Sequence, residues 1–434
     1  MERIRNFFVS IKTLTSPLSA FFIGTLLTCC ASALLSSDLA LQLAERNIST
    51  FYSGIILAVY YVAYIFATLF SYKIINKVGH IRAFSAYISI LSSLVLGHGI
   101  YFSPLFWGIL RFLEGYCLAS AFICLESWLN TRSTNKNRGI IMSFYMVTSY
   151  LGSAFGQLFL NIQDNQNIIL FIISSIIFSI ALVPISLTAL PTPDVEKHKS
   201  MSLKEIYKIS PVGVMCCGIS GILVGGIYIL GVIYAQQSGL QTKKISMFMF
   251  FCIIGGMSAQ LPVGKISDKF DRRFVMMWVA GFLFLIAPWV HLFINRSDVE
   301  LAIAAFLLGC GSFSLYPVSV SHINDLIKDE ERTEASGMLI MIQSLGMIIG
   351  PVIMAYLMQK FGPLTFLISF SVACGFFVIF AFKHISFKPY IKYTSNTKTD
   401  PIPISPSHVY PEIAKSDSSS FIGKLKRIIS ANRP

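Results

Sequence analysis

Between Pro17 and Lys383, apolar runs of about twenty residues follow one another, each separated from the next by a short polar break. A helix of ~20 mostly apolar residues spans the ~30 Å hydrocarbon layer of a bilayer. In lipid it is also the one single-segment structure that satisfies all of its own backbone hydrogen bonds. The pattern predicts twelve spans, at about 17–40, 51–74, 82–102, 105–129, 139–160, 168–190, 211–236, 245–266, 274–294, 300–324, 335–359 and 363–383. Only 13% of the 434 residues are charged, against roughly a quarter in soluble proteins. The expected fold class is an all-α, multi-pass membrane protein.

The formal charge of +13 could report a polyanionic partner or a membrane orientation, and the positions of the charges decide. Of 34 Lys and Arg residues, five (Arg46, Lys243, Lys244, Arg296, Lys360) fall in loops on one side and Arg111 lies deep in a span, leaving 28 on the other side. Basic residues concentrate in cytoplasmic loops, so both termini are expected in the cytoplasm and no nucleic-acid partner is expected. Arg3, Arg5 and Lys12 ahead of an apolar run ending near Ala31–Ala33 resemble a secretory leader. Removal there would destroy the first span, so an uncleaved helix is expected. All nine cysteines fall inside spans, with no CxxC or Cys/His ligand spacing, and read as small packing residues. No metal site, cofactor or P-loop is expected.

The chain repeats itself. Phe112-Leu-Glu-Gly-Tyr-Cys117 matches Phe306-Leu-Leu-Gly-Cys-Gly311 at an offset of 194, and Asn130 with Asn324, Arg138 with Arg332, and Leu151-Gly152 with Leu345-Gly346 share it. Gly79 corresponds to Asp271 at 192. One such match means little, but several at one offset and in span order indicate a duplicated six-helix unit. The expected organisation is a six-helix bundle over 1–190, a cytoplasmic linker over 191–210, a second bundle over 211–384, and a tail over 385–434. The tail is Ser-, Pro- and Lys-rich and is expected to be disordered; its end, Phe421 to Ile429, reads either as a short basic amphipathic helix on the inner leaflet or as more of the same tail.

Gly264-Lys-Ile-Ser-Asp-Lys-Phe-Asp-Arg-Arg273 resembles the loop signature G-x-x-x-D-[RK]-x-G-R-[RK] of the major facilitator superfamily: Gly264, Asp268, Lys269, Arg272 and Arg273 match, and Asp271 replaces the second glycine. The first-half loop keeps only Lys77, Gly79 and Arg82 of it. Arg111-Phe-Leu-Glu-Gly115 is similar to the family's fourth-span R-x-x-Q-G, with Glu114 in the Gln position, while Gln157 stands where drug antiporters carry Pro. Together with Glu126–Asn130 and Leu315–Val318, these motifs resemble a bacterial inner-membrane branch, the YcaD-like transporters. The resemblance implies two pseudo-symmetric six-helix bundles that move a small molecule across the inner membrane by alternating access, acting as a monomer.

Charges near the bilayer centre cost several kcal/mol unless they pair or face water. Arg111 and Glu114, three residues apart on one helix, can pair. They read either as a proton-coupling site, with the guanidinium tuning the carboxyl, or as a fixed pair that orients the span. His322 is a second proton-site candidate. Glu126, Asn130, Arg138, Gly264, Asp268, Lys269, Arg272, Arg273, Asp325 and Arg332 cluster at span ends and read as a cytoplasmic gate, or singly as interfacial charge. Asp38, Tyr145, Tyr150, Gln157, Tyr228 and Gln236 are candidates for the cavity wall, and His98 and His291, near span ends, are expected at the interface. The expected partners are a small-molecule substrate, protons and the lipid bilayer. A passive facilitator remains open as the alternative, with a membrane sensor or an intramembrane enzyme as distant ones.

Overall fold

The computed structural model describes residues 18–132, 138–162, 168–187, 201–328 and 331–385. The expected tail, with its amphipathic segment at 421–429, lies outside the described residues, as do residues 191–200 of the expected linker and the side chains of Asn130 and Arg138. Six long helices come first: α1 (Ser19–Glu45), α2 (Thr50–Val78), α3 (His80–Ile100), α4 (Pro104–Arg132), α5 (Arg138–Leu158) and α6 (Ile169–Ser186). A short helix, α7 (Leu203–Ile209), precedes six more: α8 (Pro211–Gln237), α9 (Thr242–Lys269), α10 (Arg272–Phe293), α11 (Asp298–Asn324), α12 (Arg332–Phe361) and α13 (Leu364–Ile385). The end of the molecule that carries α7 is called the linker face below, and the other the far face.

Local chemistry sets the helix ends. Ser202 and Glu205 form a capping box on α7, and Ser297 and Glu300 another on α11. Each satisfies backbone N–H groups that the first turn leaves open. Those hydrogen bonds from Ser202 hold the Glu205 carboxyl below its ordinary range. The α2–α3 and α9–α10 turns, expected to correspond, solve one problem in two ways. Gly79 turns the chain at φ 86°, a left-handed conformation that suits glycine. Asp271 stays at φ −58° and caps α10 by accepting from the Arg273 backbone N–H at 2.9 Å.

Among the described residues, eleven of the twelve long helices are apolar enough to cross a membrane, and their outward surfaces carry large apolar side chains such as Phe70, Trp278, Trp289, Phe376 and Ile379. The helix missing from that set is α5, whose Tyr145, Ser149, Tyr150, Ser153 and Gln157 make it more polar. Its apolar residues form one stripe and its polar ones another, so the helix suits a wall between lipid and an internal space.

The two sets of six helices pair alike. In the first half the principal contacts are α1 with α5, α2 with α4, α1 with α6, α3 with α4 and α3 with α6. The same five pairs, displaced by one half, recur in the second: α8 with α12, α9 with α11, α8 with α13, α10 with α11 and α10 with α13; there α8 also packs on α11, more extensively than on α13, a contact without an equal in the first half. Between the halves, α2 meets α12, α5 meets α9 and α1 meets α8, a set that exchange of the halves leaves unchanged.

The repeated glycines sit at four of the close backbone approaches between these helices. A Cβ on Gly115 of α4 would collide with the Tyr60 carbonyl of α2, and one on Gly309 of α11 with the Cys252 carbonyl of α9. Likewise Gly152 of α5 lies against the Leu26 carbonyl of α1, and Gly346 of α12 against the Gly218 carbonyl of α8. Lipid tails are as apolar as leucine, so helices in a membrane associate through close packing rather than hydrophobic exclusion.

Gly309→Ala and Gly115→Ala are therefore expected to destabilise the purified protein by about 1–3 kcal/mol, the usual cost of overpacking. Gly337→Ala, where an added Cβ meets nothing within 4 Å, is expected to leave the melt unchanged or raise it. Thermal unfolding in detergent, followed by size-exclusion fluorescence, separates the three.

Candidate functional site

Between the halves lies a cavity of about 150 Å³. Its first-half wall comes from Cys29, Ser32 and Ala33 of α1, Tyr60, Tyr61 and Tyr64 of α2, Leu118 and Phe122 of α4, and the polar stripe of α5 from Tyr145 to Ser153. The second half contributes Val224 and Tyr228 of α8, Phe313, Tyr316 and Pro317 of α11, and Gln343, Ser344 and Met347 of α12. Each of these stretches falls in the middle of its helix, so the cavity sits near the membrane midplane.

The halves touch on the far side of this cavity. Gln237 donates to the Thr50 hydroxyl at 2.7 Å, the Phe51 backbone N–H to Gln359 at 3.1 Å, Asn161 to Ser246 at 3.1 Å, and Ser246 to the Gln157 carbonyl at 2.7 Å. Nearer the middle, Gln260 donates to the Tyr150 hydroxyl at 2.7 Å. The far face is closed.

One layer behind Tyr60, inside the first half, sits a buried charged cluster. Arg111 donates through Nη1 to Glu114 Oε2 at 3.1 Å and through Nη2 to Ser36 at 3.5 Å, and its guanidinium stands 4.4 Å from the centre of the Tyr60 ring. On the other side of the carboxylate, His98 Nδ1 of α3 lies 3.2 Å from Glu114 Oε1. Glu114 is 1% exposed, His98 2% and Arg111 4%. Trp107 and Phe171 close over the imidazole at ring distances of 5.1 and 5.7 Å. His98 was expected at the membrane interface. It is instead packed against the carboxylate, because α3 turns this side chain inward on α4. Sequence position near a span end gives depth but not direction, and no local signal marks which face the histidine takes. Within this cluster, His98 Nε2 and Arg111 Nε have no protein partner.

Glu126 is 1% exposed and accepts a hydrogen bond from the Tyr145 hydroxyl at 2.9 Å. It therefore stands behind a ring that lines the cavity. At the linker face of the second half, Arg272 is a clasp: Nε donates to Asp325 at 2.8 Å, Nη2 to Asp268 at 2.9 Å and Nη1 to the Ser267 hydroxyl at 2.8 Å. The clasp ties the ends of α9, α10 and α11 together. Beside it Arg273 grips Asp271 at 2.8 Å. Partial burial pushes the Asp271 carboxyl up, but the hydrogen bonds and charge of Arg273 outweigh it and hold the group below the ordinary carboxylate range. His322 Nε2 meets the Ser210 hydroxyl at 2.9 Å, joining α11 to the start of α8. Arg332 reaches the Asn324 carbonyl at 3.3 Å, Gly264 accepts from Ser267 at 2.8 Å, and Lys269 is exposed at the end of α9.

Of the residues expected at the cavity wall, Tyr145, Tyr150 and Tyr228 line it. Asp38 instead accepts from Gln42 at 3.0 Å, and Gln42 in turn from Arg46 at 3.4 Å, a ladder that climbs α1 toward the far face. Gln157 accepts from Ser37 at 2.7 Å and belongs to the far-face seal, and Gln236 is half-buried at the far end of α8. All three lie a turn or more beyond the midplane. Sequence reasoning missed Tyr60, Tyr61 and Tyr64 of α2 and Tyr316 of α11. The signal was present in the YY--Y spacing of α2, which puts two of the three rings on one face. His291, also expected at the interface, meets the Tyr234 hydroxyl at 3.1 Å.

Comparison with known proteins supports the same architecture. The family model of the Major Facilitator Superfamily matches residues 21–295 and 215–417. The chain is 27% identical over 353 residues to the uncharacterized MFS-type transporter YcaD of Escherichia coli (strain K12), covering 81% of this chain and 91% of that protein. Among solved structures it resembles the nucleoside transporter NupG (TM-score 0.66, 12% identity, 85% of this chain and 98% of that one). It also resembles a bacterial homologue of the human lysosomal transporter Spinster in an inward-facing, unoccupied conformation (TM-score 0.64, 12% identity, 85% and 95%). With its duplicated six-helix plan, its cavity between the halves and a family model that matches most of its length, this chain belongs to the Major Facilitator Superfamily and is a multi-pass membrane transporter.

Proposed function

We propose that the chain carries a small organic solute across the bacterial inner membrane by alternating access, and that protons drive it. The observation that carries this reading is the midplane cavity between two like-built halves, with the buried Arg111–Glu114–His98 cluster one ring behind its wall. With the linker face in the cytoplasm, where the basic loops lie, a closed far face makes this the inward-facing state. Positive charge concentrates on the cytoplasmic side of membrane proteins, which supports that orientation.

Glu114 takes up and releases the proton. Its carboxyl is in contact with a guanidinium on one side and an imidazole on the other, and all three groups are shielded from solvent. A buried carboxyl next to a cation is sensitive to small changes in distance, because desolvation favours its neutral form and the cation its charged form. Tyr60 lies between Arg111 and the cavity, so a solute that shifts the Tyr60 ring changes what the Arg111 guanidinium meets and, through it, the Arg111–Glu114 contact, with the α2 and α4 backbones fixed. The solute and the proton site then communicate through one ring. A second reading, passive facilitation, draws on one observation: none of the three cluster residues lines the cavity. In that case the cluster only fixes α3 against α4. His322 remains a further proton-site candidate, held by Ser210 within the clasp region.

The clasp is read as the second-half part of a cytoplasmic gate. It keeps the ends of α9, α10 and α11 rigid, so that Glu126 and the start of α5 meet a fixed surface when the linker face closes. Hydrogen bonds to charged groups are each worth about 1.5–3 kcal/mol when buried, less where, as at Asp268, solvent reaches the partner.

Glu114→Gln is expected to abolish uptake driven by a pH gradient in proteoliposomes while leaving equilibrium exchange in place. Gradient-driven accumulation at the parental level in this variant would remove the proton role and leave the facilitator. Arg272→Ala is expected to lower stability by about 1–3 kcal/mol and to favour the state with an open linker face. In a double-mutant cycle Arg272→Ala and Asp325→Ala should be strongly non-additive, as residues in one network are.

A further inference from the structure

The cavity wall is unusual in what it offers a solute. Seven of its side chains are tyrosines and two are phenylalanines, while none is Asp, Glu, Lys, Arg or His. The nearby charges are covered: Glu126 by the Tyr145 hydroxyl, and the Arg111–Glu114 pair by the Tyr60 ring. We propose that the solute is an uncharged, planar aromatic molecule bearing hydroxyl or amide groups, held by tyrosine ring faces and by the hydroxyl of Tyr316. The proposal rests on the transport reading above and names the substrate class of that same site.

Three observations carry it. First, a charged solute would leave water for a wall with no opposite charge, at a cost of several kcal/mol that nothing here offsets. Second, the rings come from both halves and share an anchor. Phe313 meets Tyr150 of the first half at 5.9 Å and 82° and Tyr228 of the second at 5.6 Å and 81°, both edge to face. Rigid aromatic walls of this kind favour flat partners that offer rings to offset-stacked or edge-on contact. Third, the tyrosine hydroxyls are not equivalent. Tyr145 donates to Glu126 and Tyr150 accepts from Gln260, whereas the Tyr316 hydroxyl, on a residue 4% exposed at the wall, has no protein partner. A buried hydroxyl left without a partner is costly; its oxygen is sealed from solvent, so the Tyr316 ring turns toward the solute on binding, and a solute hydroxyl or amide then satisfies it. An organic cation held over tyrosine faces is the nearest rival chemistry. Arg111 already stands 4.4 Å from the Tyr60 ring, so one of the rings is taken by the protein's own cation.

The test is equilibrium binding to the full chain in lipid nanodiscs, with empty nanodiscs as blank. The probe is radiolabelled 6-hydroxy-2-naphthamide, which is neutral, planar and hydrogen-bonding. Its competitors are 6-hydroxy-2-naphthoate (anionic), the corresponding naphthylmethylammonium (cationic) and the saturated decahydro amide, which has the same groups on a non-planar frame. Saturable binding is expected, with each competitor at least about 10-fold weaker than unlabelled probe, a factor of ten being about 1.4 kcal/mol. Tyr316→Phe, which keeps the ring, should weaken the probe several-fold with an unchanged melting temperature, and Tyr228→Ala should weaken it further. Absence of saturable binding, equal displacement by either ion or by the decahydro amide, or indifference to Tyr316→Phe would overturn the proposal. Because binding needs no gradient, its outcome is separate from that of coupling. Saturable binding with pH-indifferent uptake removes only the proton, and gradient-driven uptake of a charged solute alone removes only the substrate class.

Discussion

The structure depends on backbone meeting backbone at glycines, four of them repeated between the halves. In water, helices are driven together by the apolar surface they hide; in a bilayer that drive is missing, and shape takes its place. Gly115, Gly309, Gly152 and Gly346 let α4 lie on α2, α11 on α9, α5 on α1 and α12 on α8 so closely that no side chain fits between. These four contacts make each half a stiff body. Only stiff bodies can tilt against one another and move an opening from one face to the other without filling it in.

Stiffness within a half frees the surface between halves to be polar and loosely joined. The far-face seal is a handful of hydrogen bonds made by Thr50, Gln237, Gln359, Asn161 and Ser246, with no ion pair among them. Each such bond contributes only about 0.5–1.5 kcal/mol net, so the seal is of the size that a bound solute or a moved proton can offset. The strong, charged contacts lie elsewhere, within a half: Arg111 with Glu114 in the first, Arg272 with Asp268 and Asp325 in the second. Strong bonds hold the bodies, and weak ones join them.

Much of this was legible in the sequence, and what was not has a physical reason. Hydropathy located the long helices to within a few residues; the helices of the structure run on beyond several spans, as α1 does to Glu45 and α9 to Lys269, since a helix need not stop where hydrocarbon does. The offset of 194 was readable because glycine at a close approach tolerates no substitute, so both copies kept it. The pairing of Arg111 with Glu114 was readable because i and i+3 share a helix face. Contacts between helices were not. His98 looked interfacial because its depth was known and its facing was not, and Asp38, Gln157 and Gln236 looked like cavity residues because polarity in a span does not distinguish a seal from a site. Tyr60, Tyr61 and Tyr64 were not legible as cavity residues because their spacing gives a shared helix face without saying what that face meets, and only packing shows that α2 turns these rings inward.

The central claim is that two rigid halves exchange a closed far face for a closed linker face. Distances between spin labels measure this directly, with one pair at Lys77→Cys and Lys269→Cys on the linker face and another at Tyr101→Cys and Arg296→Cys on the far face, all at exposed positions or loop ends of opposite halves. Two distance populations are expected for each pair, and conditions that shorten the linker-face distance should lengthen the far-face one. A single fixed distance at both faces, or two distances that rise and fall together, would contradict the account.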